Sequence, residues 1–384
     1  MSFRRFCDEI HTLLKTLAVI GASYLQLPLV EKAKAMGLRV ICFAWAEGAV
    51  CAGTADKFYP VSIVEKEEIL RICQKEKIDG ICTIASDVAA PTVAYIAEGL
   101  HLNGNRYDAA QRANNKFLMR EAFSKTGITC PKYSRISQVD DYKFSNWNFP
   151  LIVKPCDRSG SLGVMEVSCP EELQSSLDNA LSLSFKHEAI VEEFVEGKEI
   201  SVEFISYHGA HYPLMITDKV TTGAPHFVEL EHHQPAELSE DQFEMVYSIT
   251  QRALDALEIT DGASHTEYKI TESGEVYIIE LGARMGGDFI GSDLVRLSTG
   301  YDFVKGVIDV ALDSFEVPEL SKNCHSGVFF LCKETERLLP YFQDKTAPLS
   351  IVKREMTNHL LKPVSCSADR SGYLIYQANK KLSL

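Results

Sequence analysis

Apolar runs in this 384-residue chain stop at strand length, far short of the roughly 20 residues that cross a bilayer, so no membrane span is expected. Basic residues are outnumbered, 39 Lys and Arg against 53 Asp and Glu, which gives a formal charge of -14 and a pI near 5.3. Such a surface repels phosphate backbones and excludes general nucleic-acid binding. The 11 cysteines are scattered singly with no Cys-x-x-Cys pair, so they read as buried thiols of a reducing, cytoplasmic compartment rather than zinc ligands or bridges. Low-complexity tracts, heptads and internal repeats are missing, which sets aside coiled coils, solenoids and long disordered arms. Behind Arg4 and Arg5 there is no apolar stretch, because Asp8, Glu9 and His11 interrupt it; a signal peptide is not expected. No Ser-His-Asp or Cys-His arrangement points to a protein nucleophile.

What is present is a chain 46% apolar, long enough for two or three cores at roughly 100 to 200 residues each; three are expected. The first hundred residues alternate strand and helix. Thr16 to Ile20 is a β-branched run ending at Gly21-Ala22-Ser23, a helical pattern follows to Gly37, and Arg39 to Phe43 is the next strand. An amphipathic helix at 65–75 and a strand at 79–84 complete parallel β-α-β units, so a doubly wound domain is expected to end near Asn103. Gly21-Ala22-Ser23 lacks the further glycines and the acidic strand end of a dinucleotide site and reads as a tight turn. One helical pattern runs over 107–130 and carries Asn114, Asn115, Lys116 and Arg120. The middle of the chain changes to short strands, a glycine loop and a helix at 170–183. Residues 199–206 alternate strictly, as a half-buried antiparallel strand would, and a long helix at 239–257 leads to two strands at 264–270 and 275–281. The last sixty residues show short strands and turns without a chemical motif.

Three stretches carry chemistry. Leu151 to Lys154 is a buried strand ending on a lysine, followed at once by Arg158-Ser159-Gly160-Ser161-Leu162-Gly163-Val164. A point charge beside a small-residue loop suits a polyphosphate, although a hairpin turn after a snorkelling lysine fits equally well. Glu192-Glu193-Phe194-Val195 suits a hinge whose backbone reads an adenine edge, with Glu199 placed for ribose hydroxyls, and taken alone it reads also as a solvated strand end. Glu267 and Glu280 stand on adjacent strands around a turn at Ser273 and so face one another. Opposed carboxylates cost up to about 1 kcal/mol unless a cation joins them, and an oxygen-only pair favours Mg²⁺ shared with nucleotide phosphates. Arg284, ahead of Gly286 and Gly287, is placed to hold a carboxylate or phosphoryl group. Between the lobes, Thr217 to Glu229 and then His232-His233-Gln234-Pro235 read as a polar loop over an active site. In it Lys219 is a candidate third phosphate lysine, and Glu229 or His232 a candidate to face an amine.

In this order, with Lys116 in Asn-Asn-Lys-Phe-Leu-Met-Arg ahead of them, these motifs resemble the ATP-grasp superfamily of carboxylate-amine ligases between residues 15 and 315. The likeness extends to L-amino acid ligases and to the ATP-grasp half of carbamoyl phosphate synthetase and biotin carboxylase. It implies a mixed α/β and α+β fold: a doubly wound domain over 1–105, an ATP-grasp domain over 106–315 and a β-rich extension over 316–384. A lid lobe near 131–197 and a large lobe near 198–315 would divide the ATP-grasp part. By the same resemblance Lys116, Lys154, Ser159, Gly160, Ser161 and Gly163 would meet ATP phosphates, and Glu192 to Val195 the adenine. Glu199 would hold ribose, Glu267 and Glu280 Mg²⁺ with Mn²⁺ as substitute, and Arg284 the acyl phosphate, with Lys219 as the other catalytic candidate. The implied partners are a small carboxylate and an amine, amino-acid-like in class, and a homodimer is allowed. Many members carry Asn where this chain has Gly282. That departure permits a catalytically silent ATP-binding module, and a bicarbonate-using carboxylase-like enzyme stands as a second alternative.

Overall fold

The strand-helix alternation at the start of the chain folds, in the computed structural model, into a parallel sheet of order β3-β2-β1-β4. Its strands are β1 (Thr16–Ile20), β2 (Arg39–Phe43), β3 (Lys57–Tyr59) and β4 (Gly80–Cys82). Residues 14–138, 147–343 and 350–384 are described by the structure. Parallel sheets are covered on both faces, and the side-chain alternation of β1 and β2 shows how. Leu17, Val19, Val40 and Cys42 pack against α1 (Leu27–Ala35). Ala18, Ile20, Ile41 and Phe43 pack against α2 (Lys66–Glu76) and α3 (Ala90–Leu100).

The helical pattern expected over 107–130 is two helices, α4 (Tyr107–Asn114) and α5 (Lys116–Lys125). Asn115 between them is extended, and its side-chain oxygen accepts from the Leu118 N–H at 3.1 Å, capping α5. An Asn at this position satisfies a helix N–H better than it continues a helix, and the break sets Lys116 at the start of α5.

The lid lobe is an antiparallel sheet of β5 (Tyr133–Ile136), β6 (Leu151–Pro155), β7 (Met165–Val167) and β8 (Ala189–Glu193), in the order β5-β8-β6-β7. One face packs Leu151, Val153 and Val191 under Leu173, Leu177 and Ala180 of α6 (Pro170–Leu183).

The large sheet has eight strands in the order β13-β12-β9-β10-β11-β14-β16-β15. They are β9 (Lys198–Tyr207), β10 (Ala210–Thr221), β11 (Glu229–Gln234), β12 (Gly262–Ile270), β13 (Val276–Gly282), β14 (His325–Leu331), β15 (Ile351–Met356) and β16 (Gly372–Ala378). Helix α7 (Glu240–Leu257), opened by a Ser239/Gln242 capping box, covers one face. Its residues Val246, Ala253, Leu254 and Leu257 meet Ile200, Val202 and Phe204.

Two expectations change here. Strand β9 alternates, but its polar positions Ser201 and Glu203 are fully buried rather than solvated, because β9 is an inner strand whose second face also lies inside the molecule. The stretch expected as an open loop holds the end of β10 and all of β11, joined by a turn; His232 and His233 are buried because β11 lies between β10 and β14. The C-terminal residues supply β14, β15 and β16 to this same sheet. On its other side α8 (Phe303–Ala311) joins α1 in one core. Among the described residues no helix is long and apolar enough to cross a membrane.

Candidate active site

The β5–β8 sheet, strands β9 to β13 of the large sheet and the first domain line a cavity of about 340 Å³. Lys154 enters it from the end of β6 and is buried, its Nζ 2.7 Å from Oε2 of Glu192 on β8. The other Glu192 oxygen stands 2.7 Å from Arg120 Nε, an ion-pair contact without hydrogen-bond alignment. Burial alone would raise the Glu192 pKa, but Arg120 and Lys154 outweigh it and hold the carboxyl below its ordinary value. Glu192 is therefore a charged support beneath Lys154, and its side chain does not face the cavity. Glu193, Phe194 and Val195 lie outside the cavity lining. The N–H of Glu193 donates to Lys132 O and that of Phe194 to Pro150 O; the Phe194 ring sits beside Phe227, 6.3 Å away.

Ser159, Gly160 and Ser161 line the cavity. Gly163 turns the chain beneath them at φ 75°, where an added Cβ would meet Leu183 at 2.7 Å and Pro155 at 3.1 Å. The Arg158 guanidinium covers the Phe185 ring at 3.5 Å, which anchors the loop's outer side.

Glu267 on β12 and Glu280 on β13 are cross-strand partners, and each is met by a lysine. Lys116 Nζ lies 2.8 Å from Glu280 and donates to Arg158 O at 2.5 Å, so it joins the carboxylate pair to the glycine loop. Lys219 Nζ lies 2.6 Å from Glu267, 3.2 Å from Glu199 and 3.8 Å from Glu229. Burial works against the Lys219 charge, but these three carboxylates raise its pKa well above the ordinary lysine value. Glu267 shows the reverse balance: burial raises its pKa, and Lys219 with His265 pulls it well below the usual carboxylate range. Glu199 also reaches Lys269 at 3.1 Å. Among the described residues no group of three or more His, Cys, Asp or Glu could hold a metal. Two opposed carboxylates that leave most of the coordination shell to phosphate and water are what Mg²⁺ prefers, so the donor chemistry of this pair fits Mg²⁺.

Three residues with no motif of their own complete the site. Asp87, after β4, accepts from Arg284 Nη2 at 2.7 Å. Burial opposes the Arg284 charge, yet Asp87 keeps its pKa above the ordinary value. Glu203 on β9 contacts His265 Nδ1 and accepts the Gly286 N–H at 3.1 Å. His265 Nε2 lies 3.3 Å from Glu267, so one buried chain of groups links Glu267 to the loop that carries Arg284. Arg370, from the C-terminal strands, forks onto Asp288 at 2.7 and 2.8 Å. A charged residue inside the alternating run of β9 was a signal for Glu203; nothing local marked Asp87 or Arg370.

Residues 147–293 match the family described as the ATP-grasp domain. Alanine–anticapsin ligase of Bacillus subtilis (strain 168) is 29% identical over 268 residues, 64% of this chain and 56% of that protein. The alignment thus spans little more than half of that relative's length. L-amino acid ligase from Bacillus licheniformis superimposes with a TM-score of 0.78 at 23% identity, covering 95% of this chain and 94% of that one. The biotin carboxylase domain of Hydrogenobacter thermophilus 2-oxoglutarate carboxylase, solved with MgADP, ADP and bicarbonate, does so with a TM-score of 0.75 at 16% identity, covering 95% and 86%. At such identities the structural likeness speaks for the fold alone. The ATP-grasp match begins after β5 and ends past Arg284, and so includes Lys154, the glycine loop, Lys219, Glu267 and Glu280 but leaves out Lys116.

Proposed function

We propose that this protein is an ATP-dependent ligase that converts a substrate carboxylate to an acyl phosphate and joins the acyl group to an amine, releasing ADP and phosphate. The observation that carries the reading is one cavity holding both halves of the required charge pattern. Lys116, Lys154 and Lys219 with the glycine loop suit a polyphosphate, and Glu267 opposite Glu280 suits its cation. Mg²⁺ held by Glu267 and Glu280 would neutralise phosphate oxygens. The carboxylate oxygen forms a bond to the terminal phosphorus as the bond to ADP breaks; the amine nitrogen then forms a bond to the acyl carbon as phosphate leaves with its electron pair. Phosphoryl transfer of this kind needs positioning and charge neutralisation rather than a protein nucleophile. Lys154, propped by Glu192, would fix the phosphates, and Glu199, which lines the cavity, would hold the ribose. Arg284, oriented by Asp87, would grip the acyl phosphate. The names of the ligase relatives support the same reading.

The test is an ADP-release screen over pairs of small carboxylic acids and amino acids, with hydroxylamine added to trap the acyl phosphate. One or more organic acids should yield a hydroxamate with ADP formed in step. Arg284→Lys keeps the charge but loses the planar fork, so hydroxamate formation should fall about 10²-fold or more while ATP binding changes little. ADP release driven by bicarbonate without any hydroxamate would replace the ligase by a carboxylase-like reading; thermal stabilisation by NADH and none by Mg-ATP would remove ATP chemistry altogether.

A further inference from the structure

Beside the phosphate-facing cavity lies a second and larger one of about 630 Å³. The two share a neck at Tyr24, Ala85, Asp288 and Arg370. Three distant parts of the chain wall the second cavity: Leu27 and Val50 from the first domain, Phe289 from the loop after β13, and Phe330 with Tyr373 from the C-terminal strands. Its character differs from the first. The Phe289 and Tyr373 rings lie 4.2 Å apart and Phe289 and Phe330 6.3 Å apart, while Tyr24 and Val50 remain 61% and 52% exposed. Phosphoryl transfer does not call for an aromatic chamber of this size; an organic body does.

Left-handed backbone also gathers at and beside the neck. Ala85 (φ 55°), Asp288 (φ 49°) and Phe289 (φ 65°) are non-glycine residues in the left-handed region, which is costly for a bulky side chain and concentrates at ligand-holding sites. The conformation of Asp288 and Phe289 sends the carboxylate to the neck and the ring to the chamber. At the neck Arg370 forks onto Asp288, and its guanidinium covers the Phe330 ring at 3.8 Å. A carboxylate and a guanidinium side by side are the complement of an α-amino acid zwitterion: ammonium against the one, carboxylate against the other. Asp288 is four residues beyond Arg284 on the same loop, and both line the first cavity.

We propose that the second cavity is the acceptor site of the ligase, and that the acceptor is an α-amino acid with a large apolar, preferably aromatic, side chain. This rests on the ligase reading. The side chain lies against Phe289, Phe330 and Tyr373, and the backbone charges take over the two halves of the Asp288–Arg370 pair. The ammonium loses one proton to water, its nitrogen bonds to the acyl carbon, the carbon–oxygen bond breaks with its electron pair going to phosphate, and the departing phosphate takes the second nitrogen proton.

The experiment fixes the acid that gives most hydroxamate and compares L-phenylalanine, L-alanine and 2-phenylethylamine as acceptors in ADP release. Calorimetric titration of L-phenylalanine in the presence of Mg-ADP reads binding without turnover. The KM for L-phenylalanine should lie roughly tenfold or more below that for L-alanine, the scale that a few methylenes in an apolar pocket provide. Val50→Trp, at an exposed position, should fill the cavity and narrow that ratio. Arg370→Lys should raise the KM for L-phenylalanine more than for 2-phenylethylamine, which has no carboxylate to lose. If L-alanine serves as well as L-phenylalanine and Val50→Trp alters neither, the acceptor assignment falls and the ligase stands. ADP release absent with every pair, together with L-phenylalanine binding that Val50→Trp abolishes, removes the ligase but keeps the amino-acid cavity. Neither release nor binding removes both.

Discussion

Gly282 leaves open the space that Asp87 occupies: a Cβ at residue 282 would lie 2.5 Å from Asp87 Oδ1 and 3.1 Å from Arg284 Cζ. Glycine here is the condition for the Asp87–Arg284 pair. A side chain on β13 at this point and an aspartate arriving from the first domain exclude one another, so Gly282 is what lets Asp87 hold the arginine.

Gly282→Asn should therefore lower both thermal stability and turnover, by displacing Asp87 and with it Arg284. Shortening Asp87 to Ala in the same background removes the clash. The double variant should then be less destabilised than the sum of the two singles, with a coupling of about 1 kcal/mol or more. Denaturation midpoints of the four proteins give the cycle, and strict additivity would show that the two positions do not compete.

Glu280→Gln keeps the side-chain volume while removing one of the two opposed charges and the partner of Lys116, 2.8 Å away. Turnover should fall by about 10² or more, and half-saturation should require more Mg²⁺. Binding of nucleotide without metal should suffer less. Wild-type Mg²⁺ dependence in this variant would take Glu280 out of the cation site.

Away from the site, Glu76 offers a clean pH test in the first domain. It is hydrogen-bonded by Lys57 at 2.6 Å and Tyr59 at 2.5 Å and paired with Arg39. Burial would raise its pKa, but these three partners lower it from 4.5 to about 2. A carboxyl with a depressed folded value contributes stability above its unfolded pKa and loses it as pH falls towards the folded one. Glu76→Gln should thus be less stable than wild type at pH 7, and the gap should close between about pH 4.5 and pH 2. Urea midpoints at three pH values measure it; a gap constant with pH would mean that Glu76 gains nothing from its neighbours.

How far the sequence reached can be seen residue by residue. Glu267 and Glu280 were legible as neighbours on adjacent strands because the turn that joins those strands is local, but the register irregularity between Glu267 and Tyr268 that sets them directly opposite was not legible. The strands and helices of the first domain followed likewise from runs of β-branched residues and from 3.6-residue periodicity. Lys154 and its glycine loop are contiguous, so their association was legible too. Periodicity, however, reports which residues share a face and says nothing of what covers that face. It could not place Glu203 and His232 inside the molecule, because their burial depends on strands that arrive later to flank β9 and β11. Asp87 and Arg284 are 197 positions apart and Arg370 and Asp288 82 apart. Only the packing of the first domain and the C-terminal strands onto one sheet brings each pair within hydrogen-bond reach, since no local energy term depends on a partner so distant in the chain.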